Sequence, residues 1–195
     1  DVILIFDEVI TGFRYKKYGV SNCYGIEPDL ICLGKAMAGG MKLAAVGGKA
    51  EIMDNDQYFV SSTYAGNTLD LRACWKAVDL LQKNPKYNID FLWKEGALFI
   101  ERFNNLWPGK IWIEGYASRG TIKGEDRYKL TLLQEACRAG YLFHGSGTWF
   151  FNFPLAEYTN EVISGLREIV ERLKGGKKVV VARPPESPFA QKVRE

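Results

Sequence analysis

Two short apolar runs, each ending in charged side chains, constrain this chain more than any other feature. The first, Val2-Ile3-Leu4-Ile5-Phe6, ends in Asp7-Glu8-Val9. The second, Leu30-Ile31-Cys32-Leu33, ends in Gly34-Lys35. Both have strand length, and their unbroken apolar character suits a parallel sheet covered on both faces. If the two strands are parallel neighbours, Asp7 and Lys35 emerge at the same sheet edge, and a carboxylate and an amine face one cleft. The first run opens the chain with no initiator Met, and too few other strands are visible to surround it. The sequence therefore reads as the C-terminal portion of a longer protein.

With 195 residues the chain can hold one large domain or two small ones. A hydrophobic fraction of 47% and a charged fraction of 25% are those of an ordinary globular protein. The net charge of +3 is small and its signs are interspersed, which gives no case for a nucleic-acid or membrane-surface partner. No apolar run is long enough to span a bilayer, and no signal-peptide pattern opens the chain. Cys23, Cys32, Cys74 and Cys137 form no Cys-x-x-Cys pair and read as reduced thiols of a cytoplasmic protein. The lone His144 excludes a multi-histidine metal site.

Further along, residues 43–48 read as a third short strand, residues 50–54 as a helical turn and residues 58–62 as an extended segment. Leu69, Ala73, Ala77, Leu80 and Leu81 recur at helical spacing over residues 68–83, and Asn84-Pro85 ends that helix. A second helix is predicted over about 88–106. Short strands are expected at Ile111-Trp112-Ile113 and Tyr116-Ala117, with Arg119-Gly120 at a turn. A helix over 129–139 should stop at Gly140, followed by extended stretches at 141–143 and 150–153. Residues 160–174 form an amphipathic helix stopped by Gly175-Gly176. The dense rings of Trp149, Phe150, Phe151 and Phe153 read as core packing. The expected organisation is an α/β portion over residues 1–83, a smaller α+β domain over 87–176 and an extended tail over 177–195.

The strand-end pair suits pyridoxal 5'-phosphate (PLP) chemistry. An imine-forming lysine, with an ordinary pKa of ~10.4, must be held where its neutral form is accessible. A carboxylate must keep the pyridine nitrogen protonated, an apolar side chain should cover the ring, and hydroxyls and amides must hold the phosphate. Asp7 suits the nitrogen. Val9, two residues on in an extended backbone, points to the same side as Asp7 and is stiff. Lys35 suits the imine, and Thr63 with Gly66 suits the phosphate. Arg14 is read either as a substrate-carboxylate ligand or as a solvated turn residue, and His144 either as a cavity residue or as a structural one.

The order of Asp7-Glu8-Val9-Ile10-Thr11-Gly12-Phe13-Arg14, Pro28-Asp29-Leu30 with Gly34-Lys35, Gly39-Gly40, and Ser62-Thr63-Tyr64-Ala65-Gly66-Asn67 resembles the class III PLP-dependent aminotransferases. The first motif is nearest to the branch holding glutamate-1-semialdehyde 2,1-aminomutase. The resemblance is close over residues 1–83 and looser to 174, where Gln134-Glu135-Ala136 through Gly140-Tyr141-Leu142-Phe143 resembles the family's small-domain helix and strand. It implies a fold type I large domain with a mostly parallel sheet, followed by the small domain. It also implies that Lys35 is the Schiff-base lysine and proton shuttle, that Asp7 pairs with the pyridinium nitrogen and that Val9 packs on the ring. Thr63 would reach the phosphate of the neighbouring subunit, so a homodimer with its site at the interface is expected, acting on small amino and keto compounds. Thr68 stands where the family usually has proline. The family's other phosphate loop and ring-stacking aromatic lie upstream of Asp1, and residues 115–128 offer no clear ligand for a substrate carboxylate.

The resulting expectation is an aminotransferase working through Lys35. One alternative is a 2,1-aminomutase that moves an amine within one substrate. Another, of a different class, is a catalytically silent fragment that serves as a dimerisation module.

Overall fold

The computed structural model describes residues 2–54 and 62–175. The extended segment expected at 58–62 lies outside these residues except for Ser62, and the tail at 177–195 lies wholly outside them. The chain divides into two compact units, Asp1–Leu92 and Trp93–Glu195.

The first unit is built on a sheet of order β1 (Ile5–Glu8), β2 (Leu30–Leu33), β3 (Ala45–Gly48). β1 and β2 are parallel, with Asp7 opposite Cys32 and Glu8 opposite Leu33, whereas β2 and β3 are antiparallel. Asp29, just before β2, fastens the far end of all three strands. Its carboxylate accepts from the Leu4 amide at 2.7 Å and meets Lys49 Nζ at 2.7 Å, and its carbonyl accepts from the Lys49 amide at 3.0 Å. Ile3, Leu4, Ile5 and Val46 are exposed, so among the described residues this sheet is not covered on both faces, as its apolar composition suggested.

The connection from β1 to β2 contains a 3-10 turn, Lys16–Tyr18, and a five-residue helix α1, Val20–Tyr24. Neither has an apolar period for sequence reasoning to detect. After β2 a second 3-10 turn, Lys35–Ala38, buries Met37 and Ala38. The short helix α2 (Ala50–Met53) follows β3. Helix α3 (Thr68–Lys83) starts where Asn67 Oδ1 accepts from the Leu69 and Asp70 amides at 3.0 and 3.2 Å, a side-chain cap that satisfies two otherwise orphaned donors. Its Ala77 side packs towards Gly39, at the end of the second 3-10 turn. Helix α4 (Ile89–Asn104) begins in this unit and runs into the next.

The second unit has an antiparallel sheet of order β4 (Ile111–Tyr116), β5 (Arg119–Gly124), β6 (Thr148–Phe150). Arg119-Gly120, expected at the turn, instead opens β5, and Ala117-Ser118 makes the turn. Helices α5 (Asp126–Arg138), α6 (Phe153–Glu157) and α7 (Thr159–Lys174) complete it. Phe99, Phe103, Phe151, Leu166 and Val170 are fully buried at its centre, and Phe99 stacks on Trp149 with centroids 5.1 Å apart. Residues 141–143 form no strand, although their composition and the family resemblance pointed to one. Leu142 is 83% exposed, so among the described residues no neighbouring strand covers it.

Candidate functional site

The parallel pairing of β1 and β2 decides where the chemistry-bearing residues stand. Asp7 and Glu8 are the last two positions of β1, and Lys35 follows Leu33, the partner of Glu8, by two residues. Asp7, Val9 and Lys35 therefore leave the sheet at one edge. The Asp7 carboxylate is exposed, and its Oδ1 accepts from the Val9 amide at 3.0 Å. Val9 Cγ1 lies 3.5 Å from the position a Cβ would take on Gly34, which places the valine methyl beside the residue that precedes Lys35. Lys35 is exposed and adopts φ 45°, in the left-handed region that non-glycine residues enter at a cost of about 1–3 kcal/mol. Strain of that size at a strand end accompanies sites where the direction of a side chain matters more than local stability.

Thr63 occupies an exposed turn at residues 62–67 of the same unit. It makes no hydrogen bond to Asp7, Val9 or Lys35 among the described residues. The neighbouring Tyr64 ring carries Lys42 Nζ at 5.4 Å from its centroid, which ties this turn to the loop that follows Gly40.

In sequence Glu8 is only the neighbour of Asp7. In the structure it is 1% exposed, and its carboxylate accepts from Thr11 Oγ1 at 2.6 Å, from the Val20 amide at 2.9 Å and from the Ser21 amide at 2.7 Å. Burial pushes the Glu8 carboxyl up, but the hydrogen bonds from Ser21, Thr11 and Val20 outweigh it and hold the group below its ordinary value. A residue adjacent to an exposed acid on a strand points to the opposite face, and that alternation was the one available signal. Arg14, in the connection that Glu8 anchors, is half-buried, and burial lowers its pKa.

His144 lies in the second unit. Its Nδ1 is 2.7 Å from Ser146 Oγ, which is itself 2.9 Å from Thr148 Oγ1. His144 and Thr148 line a cavity of about 450 Å³ with Tyr141, Phe143, Trp149 and Phe150. Both readings of this residue thus find an observation here: it borders a cavity and it is locally hydrogen-bonded. Among the described residues no cluster of His, Cys, Asp or Glu could hold a metal ion, and no helix is long and apolar enough to cross a membrane.

The family described as "Aminotransferase class-III" matches residues 1–140. A glutamate-1-semialdehyde 2,1-aminomutase of Methanocella arvoryzae is 45% identical over 92 residues, which cover 45% of this chain and 22% of that protein. The protein of the same name from Desulfotalea psychrophila is 44% identical over 90 residues, covering 44% of this chain and 21% of the relative. The matches thus span about a fifth of the length of these curated relatives. Among solved structures, the PLP internal aldimine form of the FumI protein of Sphingopyxis sp. MTA144 superposes with a TM-score of 0.79 at 19% identity, over 89% of this chain and 44% of its own. The ornithine aminotransferase of Toxoplasma gondii does so with a TM-score of 0.75 at 22% identity, over 89% and 44%. At these identities the superpositions show the fold, a mixed α/β transaminase fold, and the family match carries the kinship.

Proposed function

The chain belongs to the class-III aminotransferase family, and from that premise we propose that its strand-end edge is the cofactor wall of a PLP-dependent aminotransferase. Pyridoxal phosphate is the cofactor that the family indicates. The observation that carries the reading is the parallel register, which sets an exposed carboxylate, a stiff apolar side chain and an exposed amine along one edge. This donor set suits the cofactor: an acid for the ring nitrogen, a methyl surface for the ring face and an amine for the aldehyde. When bound, PLP supplies a reactive aldehyde and an electron-withdrawing ring.

Within this reading Asp7 holds a proton on the ring nitrogen through a charge-assisted hydrogen bond, oriented by the Val9 amide. Val9 would offer a methyl surface to one ring face and keep water from it. Lys35 would hold the cofactor through Nζ, and its amine, when free, would take and return a proton beside the bound substrate. Thr63 contributes a hydroxyl to the phosphate of a partner subunit in a cytoplasmic homodimer. Its exposure in the 62–67 turn supports that role. Substrates are small amino and keto compounds.

A visible absorbance band on adding PLP to the purified full-length protein, absent in Lys35→Ala, is the expected result. If the parent protein gives no such band, the catalytic reading fails and the silent dimerisation module takes its place. A second reading, intramolecular amine transfer, is favoured by the names of the sequence relatives. Turnover that requires an added keto acid supports the aminotransferase. Turnover of an amino aldehyde with no added acceptor supports the aminomutase.

A further inference from the structure

We infer that Glu8, buried behind the site and out of reach of its open edge, is a positioning residue that aligns Asp7, Val9 and Lys35 by clamping both ends of the strap at residues 9–21. This rests on the strand-end reading above.

Both ends of the strap converge on Glu8. At the near end Thr11 Oγ1 donates to the carboxylate, and the Gly12 amide donates to the Glu8 carbonyl at 2.8 Å. At the far end the Val20 and Ser21 amides donate to the same carboxylate. The two glycines make this convergence possible. A Cβ on Gly19 would come within 2.9 Å of Glu8 Oε1, and one on Gly12 within 2.7 Å of the Glu8 carbonyl oxygen. Between the ends the strap closes on itself through Phe13 N donating to Tyr18 O at 2.8 Å, and both residues have positive φ, 61° and 69°. Two non-glycine residues in that region are costly, so the strap needs an anchor that outweighs its strain.

An ionised carboxylate can serve all of these donors and the Ser21 hydroxyl as well, because its two oxygens offer about four acceptor positions. Glutamine keeps the shape but turns one oxygen into a donor facing other donors. The link to the site runs through the backbone. Val9, the first strap residue, donates its amide to Asp7 and sets its methyl beside Gly34, which precedes the strained Lys35. A strap released from Glu8 therefore loosens the orientation of the Asp7 carboxylate and the contact beside Lys35 together.

The test uses the full-length protein with PLP and compares parent, Lys35→Ala, Glu8→Gln and Thr11→Val. Cofactor affinity and the pH midpoint of the visible band are measured, with circular dichroism as the check of folding. The expected result is a folded Glu8→Gln protein that binds PLP about tenfold more weakly, with its band midpoint shifted by about half a pH unit. Thr11→Val, which removes one donor and leaves the carboxylate, should shift both in the same direction by less. Parent-like affinity and midpoint in folded Glu8→Gln would overturn the inference while leaving the site reading intact. If Glu8→Gln does not fold, Thr11→Val decides: parent-like values overturn the inference, and shifted values support it. A parent protein with no Lys35-dependent band overturns the site reading and the Glu8 role with it.

Discussion

Tyr141 lies so close to Gly165 of α7 that a Cβ built on the glycine would stand 2.1 Å from the phenol oxygen. The bare backbone of the helix is thus the seat of the ring, and Tyr141 also lines the cavity that His144 borders. In Gly165→Ala, helix propensity gains about 1 kcal/mol, but the ring must swing away. Because the obstacle is the end of a side chain, the expected net change in thermal stability is small. The readout is the altered tyrosine environment in near-ultraviolet circular dichroism.

Gly96 in α4 presents the opposite case. A Cβ there would meet the Ala117 carbonyl oxygen at 2.1 Å, and backbone cannot turn aside. Gly96→Ala should destabilise the second unit by about 1–3 kcal/mol despite the better helix former, because overpacking outweighs propensity. Chemical denaturation would show a lower midpoint, and an unchanged midpoint would contradict the close packing of α4 under the β4–β5 turn.

Acid sensitivity follows from Glu8. Its folded value is depressed, so its contribution to stability is complete above the unfolded carboxyl value and is lost as pH falls through the folded one. Thr11→Val removes a donor that lowers this value, so the acid-unfolding midpoint of the variant should move to higher pH. Acid titration followed by tryptophan fluorescence measures it, and coincident curves for parent and variant would refute the assignment.

Asp29 links three strands through two backbone groups and one lysine. In Asp29→Asn the Leu4 amide keeps an acceptor while the Lys49 ion pair is lost. In Asp29→Ala both side-chain links go. Amide hydrogen exchange at Leu4 should therefore quicken markedly in Asp29→Ala and only slightly in Asp29→Asn. Equal rates in the two variants would show that the hydrogen bond contributes nothing to holding β1.

Local patterns carried much of this protein. Apolar spacing and the Asn84-Pro85 stop delimit α3 at residues 68–83, and a face of Val, Ile and Leu marks α7 within one residue of its start. The strand ends with Asp7 and Lys35 were legible because the runs are apolar and end abruptly in charge. Local patterns failed where the partner is distant in sequence. Arg119-Gly120 looked like a turn because glycine and a charged residue commonly make one, yet pairing with Tyr116 and Gly115 draws both into β5. The short helix α1 has no apolar period, and its first amides are held by Glu8, twelve and thirteen residues earlier.

The sequence by itself determined which residue types could do chemistry and marked the long helices α3 and α7 and the apolar strand runs, because periodicity and chain-breaking residues act over a few neighbours. Only the tertiary structure decided that β1 and β2 are parallel, which puts Asp7, Val9 and Lys35 on one edge. It alone showed that Glu8 turns inward to hold the strap. Those outcomes depend on hydrogen bonds and close contacts between residues 12 to 25 positions apart, and no local pattern encodes which of many possible partners a donor finds.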